Sequence, residues 1–129
     1  MCSIGGTIDG GVPYSLPTEC GQETDRHFFS GTLAMYLPFA GRPDSARAEW
    51  CMYHFPAPHL NGERTVFGRV TEGLDHVRAM KQDSRLDRVE IIRESKGIID
   101  PVVIDDQGVR RTFSQVMSDP ANRNTSARP

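Results

Sequence analysis

The chain has 129 residues, of which 37% are hydrophobic and 25% charged, and its formal net charge is −2. This length suits one domain, and these fractions disfavour both disorder and a fibrous repeat. Without a basic excess, a nucleic-acid partner attracted by bulk charge is not expected. No apolar run approaches the roughly 18 residues that a membrane helix needs, so we expect no membrane partner either.

The cysteines and the first residues suggest a compartment. Cys2, Cys20 and Cys51 are an odd number without a CxxC pair, which is typical of a reducing environment. The first residues lack the basic region and apolar core of a signal peptide, so we predict a cytoplasmic or other reducing intracellular location. Cys51, His54 and His59 have the spacing of a metal half-site, but no second ligand pair matches it. We therefore expect neither a metal nor a cofactor.

The first half of the chain is predicted to consist of loops and strands. Residues 1–22 are rich in glycine and contain two prolines, which favours loops and short extended segments. Apolar and aromatic residues predict one buried strand within 28–39 and another within 49–55. The Asn-Gly pair at 61–62 predicts a turn that leads into a third strand at 65–70.

The second half adds one helix and further strands. An apolar stripe at helical spacing predicts an amphipathic helix over 72–81. Alternating polar and apolar residues at 88–91 predict a half-buried strand, and residues 102–113 predict a hairpin around a turn at 105–108. The polar residues 121–129 are predicted to be frayed. Strands with one short helix indicate a mainly β barrel or sandwich.

Several motifs are similar to those of the cyclophilins. Residues 60–75, LNGERTVFGRVTEGLD, resemble the family signature L-D/N-G-x-H/Y-x-V-F-G-x-V-x-E-G-M/L-D. Residues 31–35, GTLAM, resemble its G-x-L-S/A-M strand, and residues 43–45, PDS, its P-D/N-S/T. The glycine pairs near the start and the run YSLP resemble its glycine loop. The resemblance implies a cyclophilin-like β-barrel, partial or re-closed, in residues 1–95, with a C-terminal hairpin and tail in 96–129.

The resemblance also implies an activity. Cyclophilins are peptidyl-prolyl cis-trans isomerases, and their partner is a proline-containing peptide or protein. A family arginine hydrogen-bonds near the proline amide nitrogen and thereby opposes the amide resonance behind a barrier of roughly 18–20 kcal/mol. The family segment with this arginine is expected to precede Met1, so we predict no catalytic residue within this chain.

The family's proline-binding groove corresponds to positions where this chain often differs. Leu60 matches the pocket leucine. His59 matches a histidine that some relatives carry in place of the family's tryptophan. Glu49 takes the place of the groove glutamine and Cys51 that of the pocket phenylalanine. A carboxylate donates no hydrogen bond, and a cysteine lacks the aromatic wall against which a proline ring is buried. The bulky Tyr36 is expected to fill part of the groove.

Each of these residues also has a structural interpretation. Leu60 and Phe67 fit a hydrophobic core, His59 an exposed turn, and Glu49 a solvated strand position. Arg64, where the family has histidine or tyrosine, fits either a groove cation or an exposed charge on a turn. Strand alternation places Cys51 and His54 on opposite faces, which argues against a catalytic Cys-His pair.

Two functional hypotheses follow from the resemblance. The first is a cyclophilin-like protein with a degenerate groove that acts as a binding or assembly module with little or no isomerase activity. The alternative is a weak or specialised isomerase acting on X-Pro bonds. A barrel without its opening strands has unpaired edges, so we expect its gap to be filled by the hairpin within residues 102–113, by a second chain or by a second copy.

Overall fold

The computed structural model describes residues 2–5, 11–21, 26–39, 41–97 and 99–123, without the side chains of residues 2–5 and 123. In these ranges the strands form two antiparallel sheets, accompanied by short helices. The strands are β1 (Cys2–Gly5), β2 (Tyr14–Ser15), β3 (Thr32–Met35), β4 (Trp50–Tyr53), β5 (Val66–Arg69), β6 (Val102–Asp105) and β7 (Arg110–Thr112). The α-helices are α1 (Leu74–Ala79), α2 (Phe113–Ser118) and α3 (Pro120–Arg123), and 3-10 helices span Pro43–Ser45 and Pro58–Leu60.

The larger sheet has the strand order β1-β4-β3-β5 and contains all three strands predicted in the first half of the chain. Cys51 in β4 pairs with Ala34 in β3 on one side and with Ile4 in β1 on the other. Gly31, before β3, has φ +81°, and a Cβ there would lie 3.2 Å from the Val70 Cβ. The close approach and the positive φ both favour glycine at the point where β3 begins.

The hydrophobic core lies against this larger sheet. Ala34, Cys51 and Tyr53 are buried on it, together with Phe28 and Ala57. The ring of Phe28 meets that of Tyr53 edge to face, with 4.9 Å between centroids. Burial at alternate positions of β4 agrees with the two-residue period of a strand. We refer to these five residues as the core cluster.

The smaller sheet has the order β2-β6-β7, and it confirms the hairpin predicted for residues 102–113. The Asp105 carboxylate accepts hydrogen bonds from the backbone N–H groups of Gln107 and Val109, at 3.0 and 2.9 Å. These bonds fix the turn, because an aspartate side chain can mimic a backbone turn acceptor. Val103 in β6 is fully buried, so the hairpin is packed against the rest of the chain.

The chain contains more helix than the one short helix predicted. Thr112 and Gln115 form a capping box, each side chain bonding the other residue's backbone N–H, and so begin α2 directly after β7. Val116 of α2 is fully buried, and the rings of Phe113 and Tyr14 lie 5.5 Å apart. The helix α3 lies partly in the tail that was expected to be frayed. The prediction that the fold is mainly β is confirmed.

The strand predicted at residues 88–91 is wrong. Residues 81–97 form no helix or strand, and Val89 and Ile91 are 76% and 68% exposed. Alternation favours a strand only where a partner strand pairs with it, and no described strand does so here. The segment is an exposed connection between α1 and the hairpin.

The structure differs from the predicted barrel in how the two sheets are arranged. In the described part of the chain the two sheets do not close into a barrel, and the hairpin pairs with β2 rather than with β1 or β5 at the edges of the larger sheet. The expectation that a second chain or a second copy completes a barrel is not supported. Across the described ranges, no helix has the length and apolar character needed to cross a membrane.

Candidate functional site

Tyr36 and Glu49 lie together at the end of the larger sheet. The Tyr36 backbone N–H donates a hydrogen bond of 3.0 Å to the Glu49 carbonyl oxygen, which extends the β3–β4 pairing beyond both strands. Both residues line a pocket of about 130 Å³, which we call the Tyr36–Glu49 pocket. Its other lining residues are Gly11, Val12, Pro38, Arg47 and Ala48.

Arg47 supports one wall of the Tyr36–Glu49 pocket. Its Nη1 donates to the Val12 carbonyl oxygen at 3.1 Å, and its Nη2 lies 3.9 Å from Asp106 in the hairpin turn. These contacts link the segment before β4 to the segment before β2 and to the hairpin turn. Glu49 is half-buried, and its side chain, when ionised, accepts but does not donate hydrogen bonds.

Cys51 and Leu60 are placed on the core side of the sheet. Cys51 is fully buried in the core cluster, where its thiol has no exposed surface for a ligand. Leu60 is half-buried, and it packs against the core cluster as Tyr36 also does. Tyr36 and Leu60 therefore share one apolar support, whereas Cys51 lies beneath the surface.

His59 lies apart from the pocket, on the 3-10 helix Pro58–Leu60, and it is exposed. The turn that follows is anchored by Asn61, whose Oδ1 accepts a hydrogen bond of 2.8 Å from the Phe28 backbone N–H. The predicted Asn-Gly turn thus holds the 3-10 helix and Leu60 against the core cluster. His59 is therefore exposed in a turn, which is the position that its structural interpretation predicts.

The sequence allows two roles for Arg64, a groove cation or a surface charge. The structure packs Arg64 beside Tyr36. Its Nη1 donates a hydrogen bond of 3.0 Å to the hydroxyl oxygen of the buried Tyr53. Its Cζ lies over the Tyr36 ring, 6.0 Å from the centroid. Arg64 is half-buried, and these contacts fix its cation beside Tyr36, one of the residues of the predicted groove.

The possible metal half-site is not assembled. Cys51 and His54 are buried and His59 is exposed. Within the described ranges, no three His, Cys, Asp or Glu side chains lie close enough to hold a metal ion. Because β4 ends at Tyr53, strand alternation does not determine the direction of the His54 side chain.

A larger pocket that the sequence did not predict lies between the hairpin turn and residues 39–47. Its volume is about 450 Å³, and its lining includes Arg42, Asp44, Asp105 and Asp106. Arg42 lies over the Phe39 ring, with its Cζ 5.5 Å from the centroid. The lining carries charges of both signs on residues that are far apart in the sequence. A local sequence motif therefore could not have predicted this pocket.

Comparisons with known proteins identify the family to which the sequence motifs are similar. The family model described as cyclophilin type peptidyl-prolyl cis-trans isomerase/CLD matches residues 4–108. The chain is 36% identical over 87 residues to peptidyl-prolyl cis-trans isomerase B of Bacillus subtilis, covering 67% of this chain and 57% of that protein. It is 34% identical over 92 residues to a peptidyl-prolyl cis-trans isomerase of Synechococcus elongatus, covering 70% and 59% respectively.

A peptidyl-prolyl cis-trans isomerase of Helicobacter pylori is 33% identical over 86 residues, which cover 65% of this chain and 50% of that protein. The chain thus matches between half and three fifths of the length of these curated relatives. No solved structure matches it. The family match runs from within β1 to the hairpin turn and ends before β7, and the chain belongs to the cyclophilin-type peptidyl-prolyl cis-trans isomerase family.

Proposed function

We propose that the protein is a peptidyl-prolyl cis-trans isomerase that acts on X-Pro bonds, and that this chain supplies proline-recognition surface. The observation that carries the proposal is the family match over residues 4–108. Leu60, at the position of the pocket leucine, and Tyr36, expected to fill part of the groove, support it because both pack against the core cluster while remaining partly accessible. An apolar surface of this kind can bury a proline ring.

A second candidate function is a binding or assembly module with little isomerase activity. The burial of Cys51 favours it, since the residue at the position of the pocket phenylalanine offers no surface to a proline. Glu49 favours it as well, because a carboxylate accepts but does not donate hydrogen bonds to a peptide. Such a module would still bind an X-Pro segment through Tyr36 and Leu60.

An isomerisation assay and a binding titration on the same proline peptide separate these candidates, with the Bacillus subtilis relative as the active control. We expect the chain to accelerate isomerisation only weakly above the uncatalysed rate, because no catalytic residue is predicted within it, and we expect the Tyr36→Ala variant to weaken peptide binding. The matched control is Phe67→Ala, because Phe67 is exposed on β5, whereas Tyr36 lies beside the pocket.

The outcomes distinguish the two functions clearly. Turnover within tenfold of the relative, a barrier difference of about 1.4 kcal/mol, supports an isomerase. Peptide binding without acceleration supports the binding module. If no X-Pro peptide binds, both candidate functions are wrong for this chain.

A further inference from the structure

We infer that Arg64 is a specificity-determining residue that binds an acidic side chain next to the proline of the peptide. This inference rests on the proposed function, because it places the X-Pro segment over Tyr36 and Leu60. Arg64 is a cation fixed beside the Tyr36 part of that surface, through its contacts with the Tyr53 hydroxyl and the Tyr36 ring. A side chain adjacent to a bound proline would therefore come within its reach.

The guanidinium of Arg64 is oriented before any ligand arrives. The hydroxyl that accepts its hydrogen bond belongs to Tyr53, which is 5% exposed and part of the core cluster. The Tyr36 ring lies against the same group. A cation held at two points loses less conformational entropy on binding than a freely rotating surface arginine, and this saving strengthens ligand binding.

Arg64 also retains unused binding capacity. An arginine has five N–H donors, and the hydrogen bond to Tyr53 uses one of those on Nη1. Among the described residues, no hydrogen bond from its Nε or Nη2 and no ion pair with a carboxylate is found. The edge formed by Nε and Nη2 matches the two oxygens of a carboxylate, which arginine binds through parallel hydrogen bonds.

The charge of Arg64 determines which peptide is preferred. Glutamate next to the proline brings a carboxylate to the free edge, whereas glutamine brings one neutral acceptor and lysine brings a repelling charge. Because Arg64 is half-buried, solvent screens this interaction less than at a fully exposed site. An acidic residue beside proline is therefore the expected recognition feature.

The test compares otherwise identical X-Pro peptides that carry glutamate or glutamine beside the proline. We expect the intact chain to bind the glutamate peptide about five- to tenfold more tightly at low salt, with the ratio falling as salt is added. In the Arg64→Gln variant this ratio should fall to about one. The matched control is Arg69→Gln, because Arg69 is an exposed arginine on β5, and it should leave the ratio unchanged.

A merely structural role for Arg64 would weaken binding of both peptides equally and preserve their ratio. The Arg64→Lys variant covers the case in which Arg64→Gln does not fold, since it keeps the charge, loses the two-donor edge and should retain only part of the preference. An unchanged ratio in the variants, or no preference in the intact chain, would overturn the inference while leaving the proposed function standing. Failure of the intact chain to bind either peptide would instead refute the proposed function, and the inference with it.

Discussion

Phe28 and Phe67 are the same residue type in opposite surroundings. Phe28 is 2% exposed and meets Tyr53 edge to face, whereas Phe67 is 48% exposed on the edge strand β5. We expect Phe28→Ala to lower the free energy of unfolding by about 3–5 kcal/mol and Phe67→Ala by less than about 1 kcal/mol. Urea unfolding of both variants measures the difference. If both variants lost the same free energy of unfolding, the face of β5 that carries Phe67 would have to be packed against other residues.

The apolar pair Val66 and Phe67 predicts that both residues belong to the core. Consecutive residues of a strand point to opposite faces, so only one of the two can pack inward. Val66 packs against the core cluster, and Phe67 is left exposed. For Cys51, the family motif predicts a position in the groove but carries no information on depth, and the structure buries this side chain in the core cluster. Arg64 stayed ambiguous because the partners that fix it, Tyr36 and Tyr53, lie far from it in sequence.

At the scale of elements, local chemistry predicted more than periodicity did. The turn residues at 105–108 predicted the hairpin, and in the structure the Asp105 side chain is the acceptor that fixes this turn. The segment 88–91 has the alternation of a strand but no described partner strand, and it is irregular. Helix α2 was missed because its capping box begins at Thr112, within the segment 102–113 that was assigned to the hairpin.

Two aspartates tie α2 to its surroundings and make this element sensitive to acid. The pKa of Asp100 lies below its ordinary value because the Ser114 backbone N–H donates to its carboxylate at 2.9 Å. The pKa of Asp119 is lowered by the Ala121 backbone N–H, at 3.0 Å, and by the Arg111 side chain, at 3.3 Å. Both groups bind protons less readily in the folded chain than in the unfolded one.

The sign of the pH effect follows from these lowered pKa values. The stabilisation is fully present above the ordinary aspartate pKa of about 3.9 and is lost as the pH falls through the lower folded value. We therefore expect the protection factors of amide exchange in α2, which correct for the intrinsic exchange rate, to fall below about pH 4 in the native sequence, and Asp100→Asn to reduce that fall. Asp87→Asn, in the exposed connection, is the matched control. Identical pH profiles for all three proteins would contradict the role of Asp100.

At the scale of the whole molecule, the hairpin is held by a small number of specific contacts. Tyr14 and Ser15 pair with β6, and Arg47 bridges to the hairpin turn. Val103 and Val116 are fully buried, so the hairpin and α2 bury apolar surface despite their small size. By contrast, residues 81–97 are exposed throughout. The division at residue 95 expected from the sequence falls inside this exposed connection, and it stays a prediction.

This contrast predicts which parts of the second half stabilise the fold. Replacing residues 86–92 with glycine and serine removes the exposed apolar side chains of Leu86, Val89, Ile91 and Ile92, so we expect the melting temperature to stay nearly unchanged. Deleting residues 101–129 leaves β2 unpaired and removes two fully buried valines, so we expect the melting temperature to fall clearly. Thermal unfolding followed by circular dichroism measures both variants. A large loss from the first variant would mean that residues 86–92 pack as the strand that their alternation predicts, and no loss from the second would mean that the hairpin is not part of the stable fold.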